Sequence, residues 1–228
     1  MITNELFTFF EQLSQQNHKE WFTENKKQYE EYVKRPLLQI AAQIITEFST
    51  VHQDFRQRPE DCLFRVNRDI RFSKNKSPYK THASVYVAPG GKKSILPGFY
   101  LHLDIKDCFL ACGSYQLEKD ALFLVRQEIF YQAQEWNKII QNPEFVQFWG
   151  TLRGDKNKRL PPEFSEYAEE TPDIYYKSFY FEHFFTRSEA TSPDFIPQIM
   201  HGFQLAVPLT QFLIRSLSEL YEHGRTIQ

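Results

Sequence analysis

HASVYV (residues 82–87) and FYLHLD (residues 99–104) decide the class of fold. Ala83, Val85 and Val87 alternate with His82, Ser84 and Tyr86, and Phe99, Leu101 and Leu103 alternate with Tyr100, His102 and Asp104. A period of two is that of a strand with one apolar and one polar face. Cys108 to Tyr115 reads as a further strand, joined to its predecessor by a turn at Lys106-Asp107, and Phe64 and Val66 flank Arg65 with the same alternation. These segments predict an antiparallel sheet.

Outward from the sheet the period becomes helical. Leu6, Phe9, Phe10 and Leu13 predict a helix from Thr3 to Gln16, and Asn17 with Glu20 forms an N-x-x-E capping pattern ahead of Trp21 and Phe22. Leu37, Ile40, Ala41, Ile44 and Phe48 resume the period behind Pro36, which is either a kink or the opening of a new helix. Glu118 to Ile140 and Pro143 to Trp149 read as helices, and Tyr175 to Phe185 as a strand or a buried aromatic segment. From Ser192 the chain is helical again, punctuated by Pro197 and Pro208. With no internal repeat or evident linker, the expectation is one α+β domain over residues 1–228. Its central, mainly antiparallel sheet is packed with helices from both ends of the chain.

Composition bounds the function. The 22 phenylalanines and 12 tyrosines make the apolar fraction aromatic-heavy, which suits a packed interior. Cys62, Cys108 and Cys112 form neither an even set nor a C-x-x-C pair, so a disulfide framework and a zinc knuckle are not expected. The opening MITNELFTFF lacks the basic and apolar regions of a secretion signal, and no apolar run is long enough for a membrane span. A cytoplasmic protein without membrane contact is expected.

The charge is unevenly spread. FRVNRDIRFSKNKSPYKTH (residues 64–82) holds six cations, Arg65, Arg68, Arg71, Lys74, Lys76 and Lys80, and one carboxylate, Asp69. It carries +5 in a chain of net charge -2, so the other residues sum to -7. A polyanion-binding domain usually has a pI above about 9; here it is near 6.4. The cationic feature is therefore local. Asn67, Asp69, Ser73, Asn75 and Ser77-Pro78 supply turn chemistry, so a strand leading into an ordered loop is predicted.

The same stretch resembles a family of conserved hypothetical proteins, catalogued as a domain of unknown function, with an FRxxRDxRFSxxKxPYKT signature. Here those positions are Phe64, Arg65, Arg68, Asp69, Arg71, Phe72, Ser73, Lys76, Pro78, Tyr79, Lys80 and Thr81. Asn17 with Glu20-Trp21-Phe22, Gly98-x-Tyr100-Leu101-His102, Gly113-x-Tyr115 and Lys158-Arg159 before Pro161-Pro162 are similar to its other motifs. Leu160 separating that basic pair from the prolines, with Glu163 after them, departs from its usual arrangement. The resemblance implies a single intracellular domain and no particular chemistry.

Three readings of the cations stand. In the first, Arg65, Arg68, Arg71, Lys76 and Lys80, with Tyr115, bind a phosphate- or carboxylate-bearing small molecule, and His82 or Asp69 supplies acid/base chemistry. In the second, the stretch contacts nucleic acid or an acidic protein partner without chemistry. In the third, the cations pair with Glu163, Glu166, Glu169, Glu170 and Asp173 in a structural network. The acidic balance of the chain favours the first. Ser73-x-x-Lys76 matches a serine–lysine pattern but lacks its partner motifs. No H-E-x-x-H or H-x-H is present, so no metal or other cofactor is expected, although His82 and His102 can approach if their strands pair in register. Cys112 reads as a buried small hydrophobe.

Overall fold

A computed structural model of the protein describes residues 1–52, 55–165 and 171–226. Four strands, β1 (His82–Val87), β2 (Gly98–Asp104), β3 (Cys108–Ser114) and β4 (Phe179–Phe185), hydrogen-bond in the order β1-β2-β3-β4. The sheet is antiparallel and helices dominate the rest, so the fold is α+β. The Phe64–Val66 alternation yields isolated antiparallel bridges, Leu63 to Val85 and Asn67 to Tyr79, in place of a strand. The polar turn residues that follow end the pairing before a ladder can form. No helix among the described residues is long and apolar enough to cross a membrane.

Contacts divide the chain into two compact units. The first comprises Met1–Val87, Tyr100–Leu110 and Phe184–His201. Its helix Asn4–Gln15 buries Leu6, Phe7, Phe9, Phe10 and Leu13 along one face, and Phe9 meets Trp21 at 5.5 Å between ring centroids. The second helix begins one residue later than the capping pattern predicts: its cap is His18, whose ring accepts the Trp21 N–H, and it spans Lys19–Glu24. Asn17 is instead committed to the backbone of Tyr79. At Pro36, which has no N–H and whose ring crowds the preceding turn, the chain forms a π turn over Tyr29–Lys34. There the Arg35 N–H reaches five residues back to Glu30 O, and an α-helix continues over Arg35–Val51. That helix packs its Leu37, Ile40, Ala41, Ile44 and Phe48 face inward and lies against β1.

The second unit comprises Ala88–Phe99, Ala111–His183 and Gly202–Gln228. The expected helix Glu118 to Ile140 is two, Lys119–Tyr131 and Ala133–Ile140, with Gln132 leaving helical angles between them. Trp136 is fully buried beyond that break and donates its indole N–H to Asp173 at 2.9 Å. The final helix, Phe195–Thr226, runs through Pro208 and spans the boundary at Gly202. Pro197 falls in its first turn, where no intrahelical N–H bond is lost. Gly113, at φ +115°, faces β4 so closely that a Cβ there would lie 2.2 Å from Phe179 O.

Candidate functional site

The cationic stretch is a loop closed at its base. Arg68 N–H bonds to Pro78 O and Lys80 N–H to Val66 O, both at 2.8 Å, so residues 66–68 run against 78–80 and residues 69–77 form the tip. Asn17 holds the returning limb through both amide groups on Tyr79. Phe22 stacks on Tyr79 at 4.2 Å. Turn chemistry closes the tip, with Asn75 Oδ1 accepting the Ser77 N–H.

Arg71 grips Asp69 through two side-chain bonds of 3.0 and 2.7 Å. The Arg71 guanidinium, and after it the Arg71 backbone N–H, hold the Asp69 carboxyl below the ordinary carboxylate range. Arg68 donates to Ser77 O at 3.1 Å and Lys76 to Ile70 O at 3.0 Å. These acceptors are neutral carbonyls, which fix the cations without offsetting their charge. Lys80 Nζ stands 5.5 Å from the Phe64 ring centre. Ser73 lies in the tip, receiving a bond from Arg68, and Lys76 is turned to Ile70, so no serine–lysine pair is formed.

Of the downstream carboxylates, Asp173 accepts the Trp136 indole, while Glu166, Glu169 and Glu170 lie outside the described residues. Tyr115 belongs to the second unit, where it is exposed and meets Tyr180 edge-on. Cys112 is fully buried, which pushes its thiol well up. An open cleft of about 640 Å³ in the second unit is lined by Lys93, Ser94, Lys119, Asp120 and Tyr221, none of them singled out by sequence.

The loop leads directly into β1, and there the polar face of the sheet carries a second group of residues. His82 opens β1, and His102 and Asp104 alternate on β2, so antiparallel pairing gathers all three on one face. The two imidazoles lie 4.6 Å apart between centroids, and His82 Nδ1 is 3.9 Å from Asp104 Oδ2. Tyr100 Oη and His102 Nδ1 are 3.0 Å apart. Phe109 stacks on the His102 ring at 4.9 Å, and Phe64 meets Tyr100 edge-on at 6.0 Å.

Burial, then the neighbouring His102 and Lys80, push His82 down to about 4 against the upward pull of Asp104. His102 is also lowered, again chiefly by burial. His82 is therefore neutral at pH 7, and burial biases His102 toward its neutral form in the same way. The sequence places His82 in the site and lets His102 approach it if the strands pair in register, whereas it does not single out Asp104. The signal for Asp104 is the alternation that sets Tyr100, His102 and Asp104 on one face of β2.

The fold and this geometry define an α+β protein in which a cationic loop adjoins a cluster of imidazole and carboxylate groups. Residues 5–212 match the family model described as "Conserved hypothetical protein (DUF2461)", and the chain belongs to that family. No curated protein matches it in sequence.

Proposed function

We propose that the base of the cationic loop and the adjoining polar face of β1 and β2 bind a small phosphate- or carboxylate-bearing molecule, with His82 as the acid/base group. One observation carries this reading. Among the described residues, Arg68 at the base and Lys76 in the tip are positioned by neutral carbonyls, so their charge is fixed in place and not neutralised, and the returning limb paired with Arg68 runs through Lys80 into His82. Preorganised cations lose little on meeting an anion, and guanidinium groups match carboxylates and phosphates bidentately. Arg65, exposed near Asp69, and Lys80 supply the remaining charge. Asp69 orients Arg71 here and leaves proton transfer to His82.

A second reading has its own support. Phe72 is 96% exposed at the loop tip beside Arg71. An exposed ring among cations is a stacking platform for a single-stranded base. The acidic balance of the whole chain favours the small anion.

A thermal-shift panel of inorganic phosphate, nucleotides, sugar phosphates and di- and tricarboxylates tests the proposal, run beside Arg65→Ala and Lys80→Ala. A ligand at about 100 times its Kd stabilises by roughly 2.7 kcal/mol. The expected result is a selective shift that both variants lose. Absence of any shift across the panel, with binding of single-stranded nucleic acid that falls steeply with salt, would give the site to the second reading.

A further inference from the structure

We propose that His82, His102 and Asp104 form a binding site for one divalent transition-metal ion of the zinc, manganese or iron(II) class. With an ion bound, His82 is a ligand and no longer the acid/base group, while the anion site itself is unaffected; metal uptake is measured with no anionic ligand added, so the two readings fail separately.

The three side chains converge without satisfying one another. One ligand atom from each lies within 4.8 Å of the other two. Yet His82 Nδ1 to Asp104 Oδ2, at 3.9 Å, is beyond hydrogen-bonding range. Ligand atoms about 2.0–2.1 Å from a zinc ion sit roughly 3.3 Å apart around a tetrahedron. Small side-chain rotations close the difference, and His82 and Asp104 keep 30% and 20% of their side-chain surface in solvent, so they have room to turn.

Two of the three potential ligands are also oriented by a partner outside the cluster, the arrangement that protein metal sites use to aim their ligands. Asp104 Oδ1 accepts the Lys106 N–H at 3.0 Å, which leaves Oδ2, the oxygen nearer His82, for an ion. His102 Nδ1 faces Tyr100 Oη at 3.0 Å. With Nδ1–H donating to that hydroxyl, the Nε2 lone pair is available to a metal. Ser84 in turn bonds Tyr100, and Phe109 stacks on the imidazole, so the ring is held in plane.

Donor chemistry selects the ion. Two imidazoles and one carboxylate suit zinc, manganese, iron(II) or cobalt better than calcium or magnesium, which prefer all-oxygen sets. Three protein ligands leave at least one coordination position for water or substrate, the pattern of a catalytic centre as opposed to a closed structural one.

The test uses tag-free full-length protein stripped with a chelator, dialysed against Co²⁺, Zn²⁺ or Mn²⁺ alone, and read by elemental analysis and by the visible d–d absorption of Co²⁺. The expected result is one ion per chain and a Co²⁺ spectrum of low coordination number. His82→Ala, His102→Ala and Asp104→Ala should each weaken binding by at least about tenfold, and Tyr100→Phe by about 10- to 100-fold. His18→Ala, at an exposed histidine outside the cluster, should bind as the parent does. The volume-conserving His102→Gln and Asp104→Asn, checked for an unchanged circular dichroism spectrum, keep the test valid if an alanine variant fails to fold. Failure to take up a stoichiometric amount of any of the three ions, or uptake unchanged in these ligand variants, would overturn the proposal.

Discussion

Asn17 brackets the backbone of Tyr79, its Nδ2 donating to Tyr79 O and its Oδ1 accepting the Tyr79 N–H, each at 3.0 Å and across 62 residues of chain. A side-chain amide used this way mimics one rung of a β-ladder. It satisfies both polar groups of a residue whose own side chain is buried against Phe22. Removing it leaves the Tyr79 N–H and C=O to find other partners, at about 1–3 kcal/mol for a group left unsatisfied. Asn17→Ala should therefore lower the urea midpoint by that order and speed proteolytic cleavage within residues 69–77. Asn17→Asp, which keeps the acceptor and loses the donor, should fall between the two. Unchanged protease sensitivity in Asn17→Ala would show that the loop is held closed without this clamp.

Gly113 gives a sharper prediction. Its φ of +115° is one that L side chains rarely adopt, and an added Cβ would meet the backbone carbonyl of Phe179, which cannot swing aside. Strain and overlap act together, so Gly113→Ala should cost several kcal/mol, in the upper tail for single substitutions. Soluble yield and chemical denaturation read the effect. A variant within about 1 kcal/mol of the parent would mean that β3 and β4 part locally at little cost.

How much of this was legible in sequence follows from where periodicity operates. The alternation in 82–87 and 99–104 announced β1 and β2, because burial on one face leaves a period of two whatever the tertiary setting. The same alternation at Phe64–Val66 misled, since two apolar residues do not outweigh the turn-forming residues that follow. Asn17 was read as a helix cap because a cap is local, while its actual partner is 62 residues away and has no sequence signature. The site was legible in part for the same reason. His82 stood next to the cations, but its meeting with His102 and Asp104 depends on strand register, which alternation alone does not specify.

Phe72 separates the two readings of the loop. At 96% exposure it contributes almost nothing to packing, so Phe72→Ala should change unfolding free energy by no more than about 0.5 kcal/mol. If the loop binds a small anion, the variant keeps its thermal shifts. If it stacks a nucleobase, the variant loses about 1–3 kcal/mol of binding to short single-stranded oligonucleotides. Fluorescence anisotropy against such oligonucleotides at two salt concentrations, beside the small-anion panel, decides between them.

The imidazole cluster makes the stability of metal-free protein depend on acidity in a fixed direction. His82 is pushed down to about 4 in the folded chain, first by burial and then by His102 and Lys80, with Asp104 opposing. His102 is lowered by burial against the pull of Asp104 and Asp107. In the unfolded chain both rings titrate near the ordinary histidine value of about 6.5. Below that value the unfolded state takes up protons that the folded state refuses, so acid favours unfolding. The contribution is whole above about pH 6.5 and is lost for His82 as pH falls from there to about 4. His82→Gln, which cannot take up a proton, should flatten the fall in urea midpoint across this window relative to the parent. Added Zn²⁺ should deepen the parent's pH dependence, because protons and metal then compete for the same nitrogens. A parent and a His82→Gln variant with parallel midpoints from pH 7 to pH 4, both metal-free, would show that His82 takes up its proton as readily folded as unfolded.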